Sequence, residues 1–234
     1  MKRFYREVTV ARADGGWRVL LDGRAIRTPQ GAPQVVPTEA LAQAMAEEWR
    51  GQGDDIDPAS LPFRDMADYA IDAVQPDPAA LAQQLLRYAE TDTLCYRADP
   101  DEPLYRRQQE VWEPLLKAVE ARLDVRMERV SGVLHRPQPP ETMAVFAARL
   151  AGLDPFTLAA VQAMASLAAS LCVALSALEP EADVDTLWQA ASLEELWQAE
   201  LWGWDEQAEA RRVRRGGDFS AAAAFARLAR LRGA

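Results

Sequence analysis

From Leu158 to Leu178 the chain runs for 21 residues without a charged side chain. That is the length a helix needs to cross a bilayer, so the stretch must either enter a membrane or be buried by the rest of the protein. Its content selects burial. Eight of the 21 residues are Ala, and Gln162, Ser166 and Ser170 recur at every fourth position, which leaves the transfer energy far short of that of a Leu, Ile, Val and Phe span. The sequence therefore predicts one central helix, opened after Asp154-Pro155 and closed by Pro180, with no membrane insertion. A helix that is apolar on all sides demands a coat of other helices.

The flanking sequence supplies that coat. Asp77 and Pro78 have the cap and first-turn chemistry of a helix with Leu81, Leu85 and Tyr88 along one face. Leu104, Val111, Trp112, Leu115, Val119 and Leu123 form a second stripe, predicted to bend or restart at Pro114 because an internal proline removes a backbone hydrogen bond. The segment from Val125 to Arg136 reads as extended or irregular, a helix follows from Glu141 to near Gly152, and a terminal helix runs through Ala221 to Leu231. Leu193, Leu196, Trp197, Leu201 and Trp204 fall within about a third of a helical circumference, which predicts a core-facing stripe.

The first 36 residues follow a different period. Val8 and Val10, then Trp17, Val19 and Leu21, alternate with their neighbours on either side of Asp14-Gly15-Gly16, the pattern of a hairpin, and Asp22-Gly23 turns the chain into a short run at Ile26. Thr38 caps a helix with Leu41, Met45 and Trp49 on one face, stopped by Gly51 and Gly53. An acidic connection from Asp54 to Leu61 then leads into a helix through Met66, Tyr69, Ala70 and Ala73. The fold class is α+β. A small antiparallel β-rich domain with a covering helix occupies residues 1–76, and a larger all-α domain occupies residues 77–234.

Charge and residue types exclude several functions. Acids outnumber Lys and Arg by 36 to 26, so no nucleic acid and no anionic lipid surface is expected as a partner. Cys95 and Cys172 lie far apart among apolar neighbours and read as reduced core thiols. His135, the only histidine, stands beside Arg136 in a proline-rich segment with no candidate nucleophile nearby, and reads as a surface or packing residue. With no glycine-rich phosphate loop and no metal-ligand spacing, no cofactor and no metal are expected. An enzymatic reading would rest on carboxylates alone, such as Glu194 or Asp92. The N-terminus is charged from its second residue and lacks the apolar core of a signal peptide, so a cytoplasmic location is expected.

The charges are unevenly spread. Residues 1–27 hold seven Lys and Arg against three acids, and residues 28–72 hold two against nine. From Glu179 to Glu209 there are ten acids and no Lys or Arg, followed at once by Arg211, Arg212, Arg214 and Arg215. This is either a solvated helical face with cations after it or an acidic docking surface. Trp202 falls out of phase with the apolar stripe, on the side of Glu195 and Gln198 with Glu194 at its edge, as a binding anchor would. The alternative packs Trp202 beneath Arg211 or Arg212. Asp92, within Thr91-Asp92-Thr93, is a further candidate partner contact, with helix-end capping as its alternative.

FYREVTV followed by VLLDGRAIRTP, then LAQAMAEEW, LPFRDMADYAID and YAETDTLCYRA, then Gln109 with Trp112, Glu113, Pro114 and Leu115, and finally LEELWQAELWG from Leu193 to Gly203, stand in order along nearly the whole chain. Together they resemble the assembly chaperones for the alpha subunit of the F-type ATP synthase. Phe63-Arg64 stands where that family has a Leu-Thr pair, and Trp197 where it often has Tyr. The resemblance implies a β-rich N-terminal domain, an α-helical C-terminal domain, no cofactor, and a monomer that binds the unassembled alpha subunit. It places the acidic position of the C-terminal motif on Glu194, and implies a bacterial cytoplasmic member of a family that works in mitochondria in eukaryotes. The other readings left open are a carboxylate-dependent small-molecule enzyme and an interaction module unrelated to ATP synthase.

Overall fold

The computed structural model describes residues 1–132 and 135–231, and the chain divides into two compact units. The first contains Met1–Pro78, Asp154–Ala160 and the residues from Ala221 onward; the second contains Ala79–Leu153 and Val161–Ser220.

In the first unit β1 (Val8–Ala13) pairs antiparallel with β2 (Gly16–Leu21), and β2 with β3 (Arg24–Ala25). Val8 faces Leu21 across the ladder, so both lie on the buried side with Val19. The turn needs a left-handed residue, and Gly15 supplies it at φ +80°. Gly16 has a different duty: a Cβ there would lie 2.2 Å from the Val36 carbonyl oxygen. Its absence lets Trp17 and Val36 exchange backbone hydrogen bonds of 2.9 and 2.8 Å.

Helix α1 (Glu39–Arg50) starts where Thr38 Oγ1 accepts the Leu41 N–H at 3.1 Å, and it buries Leu41, Met45 and Trp49 as predicted. Helix α2 (Pro62–Tyr69) continues into a wider turn over Ala70–Val74. Its buried face is Ala67, Ala70, Ile71 and Val74, while Tyr69 and Ala73 meet solvent. The rotation is set from outside the helix, because the Glu48 carboxylate on α1 accepts the N–H groups of Phe63 at 2.6 Å and Arg64 at 3.0 Å. Later segments complete this core: the Phe225 ring lies 6.1 Å from Phe63 and 6.3 Å from Phe156, and Thr38 Oγ1 donates to the Leu228 carbonyl at 2.8 Å.

From Pro78 onward the chain is mainly helical. The elements are α3 (Pro78–Leu85), α4 (Arg87–Glu90), β4 (Tyr96–Arg97), α5 (Pro103–Leu123), β5 (Val130–Ser131), α6 (Pro140–Ala151), α7 (Pro155–Ala168), α8 (Leu171–Ser176), α9 (Val184–Ala191), α10 (Leu193–Trp202) and α11 (Glu206–Arg230). Trp112, Leu116, Phe146, Leu150, Leu171 and Phe219 are fully buried in the second unit. The Trp112 indole N–H donates to the Ala190 carbonyl at 2.8 Å, which satisfies its one polar atom.

Two predictions are corrected here, and a third is made specific. Helix α5 passes through Pro114 without restarting; Pro114 and Glu110 are exposed, so water can serve the carbonyl that the proline leaves unpaired. The segment after Val125 is irregular apart from the extended β5, which pairs in parallel with β4, Tyr96 opposite Val130; Val133 and Leu134 lie outside the described residues. The uncharged run is two helices, because Ala169 takes a left-handed conformation at φ +48° and Ser170 restarts the chain by capping α8. No helix among the described residues is long and apolar enough to cross a membrane.

Glu48 generates a pH-dependent prediction. Burial pushes its carboxyl up to about 7, against the pull of the two N–H groups and Arg64. Its share of stability is then fully present below the ordinary carboxylate value of 4.5 and is lost as pH rises through about 7. In urea unfolding between pH 5 and 8, Glu48→Gln should remove about 2 kcal/mol of this pH-dependent loss. Parallel pH profiles for the two proteins would contradict this assignment.

Candidate functional site

The segment that carries LEELWQAELWG folds as α10, ten residues long, ended by Gly203 at φ +97°. Its start is anchored. Leu193 is buried, and Gln108, fully buried on α5, uses both ends of its amide: Oε1 accepts the Ala98 N–H at 2.9 Å and Nε2 donates to Glu194 at 2.8 Å. Glu195 pairs with Arg215 at 2.9 Å, and Arg215 also donates to the Leu167 carbonyl at 2.8 Å and lies 5.4 Å over the Trp188 ring. Trp188 can approach α11 this closely because Gly216 has no side chain; a Cβ there would sit 2.7 Å from the indole nitrogen.

The end of α10 is bare. Leu196 and Trp197 are half-buried, whereas Leu201 is 57% exposed, Trp202 79% and Trp204 59%. The predicted core stripe therefore holds only at its start. Helical period assigns residues to a face, but among the described residues this face is left largely uncovered from Leu201 onward, and Gly203 diverts the chain before Trp204. Beside the exposed edge is a cleft of 420 Å³ whose lining includes Glu195, Gln198, Trp202, Trp204, Arg211 and Arg212. Arg212 is held by Glu209 at 2.6 and 3.0 Å. Among the described residues Arg215 lies over Trp188, Arg64 over Trp49 and Arg97 over Trp112, and neither Arg211 nor Arg212 covers Trp202.

The structure thus brings Glu195, Gln198 and Trp202 together, with Glu194 next to them on α10. It does not bring Asp92 there. Asp92 is fully buried, and its carboxylate accepts the Leu94 N–H at 3.1 Å, the Ser170 hydroxyl at 2.7 Å and the Cys172 N–H at 2.9 Å. As a partner contact it is corrected: the carboxylate caps its own short turn and also the start of α8. Burial raises its pKa, and the hydrogen bonds oppose the rise. Cys95 and Cys172 are buried free thiols, and burial raises both. His135 is exposed and shares a 2.9 Å hydrogen bond with the Tyr96 hydroxyl. Among the described residues no three His, Cys, Asp or Glu side chains gather as a metal site.

Sequence reasoning missed Gln108, Arg215 and Trp188, the groups that hold α10. Gln108 and Arg215 had no signal beyond a polar residue in a helix, since what marks them is burial and a partner distant in sequence.

The family model for ATP12 chaperone protein matches residues 2–120. The chain belongs to the ATP12 chaperone family. Atp12 from Paracoccus denitrificans has the same fold, with a TM-score of 0.92 and 39% identity over 98% of both chains. Protein atp12, mitochondrial, of Schizosaccharomyces pombe is 28% identical over 214 residues, 86% of this chain and 74% of that one. Protein ATP12, mitochondrial, of Saccharomyces cerevisiae is 27% identical over 272 residues, 96% of this chain and 84% of that one. The exposed α10 edge lies beyond the stretch that matches the ATP12 family model, but within a chain that the Paracoccus structure covers almost completely.

Two substitutions separate the framework of this ATP12-family chain from its surface. Asp92→Ala strands buried donors on Ser170 and Cys172 and should cost about 3 kcal/mol. Trp202→Ala removes an exposed ring and should change stability by less than about 0.5 kcal/mol. Chemical denaturation of both variants reads the contrast, and equal midpoints would refute it.

Proposed function

We propose that this chain is the assembly chaperone that holds the free alpha subunit of the F-type ATP synthase until it pairs with beta. The observation that carries the reading is the exposed Leu201, Trp202 and Trp204 edge at the rim of the α10 cleft. An unassembled subunit exposes surface it will later bury, and that apolar area drives aggregation. A chaperone must cover such surface and then yield to the true partner. A few aromatic anchors within a polar rim serve that purpose, because affinity then rests on a small, displaceable cluster.

In this reading Trp202 is the anchor, and Glu194, Glu195 and Gln198 form the polar rim that orients the client. Glu194 and Glu195 are braced by Gln108 and Arg215, so little side-chain freedom is lost on binding. The chain works by binding and not by catalysis, as a cytoplasmic monomer.

Co-expression of the tagged chain with separately produced alpha and beta subunits should recover alpha. Recovery of beta alone, or of neither, would overturn the reading. Trp202→Ala, folded by circular dichroism, should weaken binding of purified alpha by about tenfold or more. Unchanged affinity would remove Trp202 from the site and leave the choice of client standing.

A further inference from the structure

The first unit carries a second cleft with different chemistry. Its volume is 500 Å³, and its lining includes Phe4, Tyr5, Asp22, Arg24, Arg27 and Trp49. One wall is an aromatic series: Phe4 meets Tyr5 edge to face at 5.4 Å, and Tyr5 meets Trp49 likewise at 5.7 Å. The Tyr5 hydroxyl donates to the Trp49 carbonyl at 2.6 Å, which fixes the wall to α1. Tyr5 and Trp49 are buried, but Phe4 is 64% exposed.

The other side carries two guanidinium groups against one carboxylate, Asp22, whose charge is felt by Arg24. Asp22 is the one acid of the lining, and its Oδ1 is already occupied by the N–H groups of Arg6 at 3.0 Å and Glu7 at 2.8 Å. Among the described residues no carboxylate pairs with Arg24 or Arg27; Arg27 donates only to the Gly31 carbonyl, at 2.7 Å. Two exposed guanidinium groups against a single carboxylate leave this wall net cationic on a chain of net charge -10. The forked donors of arginine match a carboxylate. A phosphate is less well served, since no helix N-terminus or glycine cradle lines the cleft and the single carboxylate of Asp22 opposes a dianion more than a monoanion.

We infer that this cleft receives an acidic segment of the client polypeptide, with a carboxylate on Arg24 and Arg27 and an adjoining apolar side chain on Phe4. The inference rests on the proposed function, in which the client is the free alpha subunit. It gives this chaperone a second contact, on a different unit from the α10 edge and of opposite electrostatic character.

The test is the affinity of the full chain for purified free alpha subunit, compared among wild type, Arg24→Glu, Arg24→Glu with Arg27→Glu, Phe4→Ala, Trp202→Ala and Arg12→Glu. Arg12 is exposed on β1 outside the cleft, so Arg12→Glu makes the same charge change as Arg24→Glu without touching the site. Melting curves confirm that each variant is folded. Arg24→Glu should weaken binding about tenfold, the double variant further, and Phe4→Ala at least about threefold, while Arg12→Glu stays within about threefold of wild type. Retained affinity in the double variant alongside loss in Trp202→Ala overturns the cleft and leaves the proposed function intact. An equal loss in Arg12→Glu also overturns it, by reducing the effect to net charge. Absence of binding by wild type overturns the proposed function and this inference with it.

Discussion

The Asp92 carboxylate lies where water cannot reach it, surrounded by donors from a segment about eighty positions further along the chain. An isolated charge there would be prohibitively costly, and donors at the start of α8 without an acceptor would be nearly as unfavourable. Each defect cures the other. The consequence reaches well beyond the pair, because the cap permits the uncharged run to break at Ala169 and Ser170. One long apolar rod becomes two shorter helices, α7 and α8. The register of α8 then follows from Ser170 and Asp92 together, and Thr93 adds a backbone and a hydroxyl hydrogen bond to the Ala169 carbonyl at the break itself.

Polar groups perform the same service elsewhere. Glu48 sets the rotation of α2, Gln108 joins the Ala98 backbone to α10, and Arg129 bridges Glu113 and Glu120 beside the β4–β5 ladder. In each case a side chain on one element supplies what the backbone or a charge on another lacks. Apolar packing brings these elements together without direction, and the buried polar contacts choose one arrangement among several of similar burial.

The α10 segment departs from this economy. It is tied down at Leu193, Glu194 and Glu195, and then presents Leu201, Trp202 and Trp204 to solvent, largely uncovered by the described residues. A chain selected for stability alone would bury three such side chains or replace them. Rigid support at one end and uncovered aromatics at the other suit a surface meant for another molecule. The ATP12 family to which the chain belongs is one of chaperones.

Local patterns in the sequence determined much of this. The hairpin of β1 and β2, the Thr38 cap, the buried face of α1, the helical character of the second half and the out-of-phase position of Trp202 were all legible, because each depends on a period or a turn within a few residues. Asp92 was legible as a cap for the turn beside it, but not for α8. Tertiary structure alone decided that Pro114 could sit inside an unbroken helix, that the run from Leu158 would divide at Ala169, which face α2 would turn inward, and that Leu201 and Trp204 would stay uncovered. These outcomes depend on what lies across from a residue, a solvated carbonyl, a distant carboxylate or no neighbour at all. Periodicity along the chain carries no record of that.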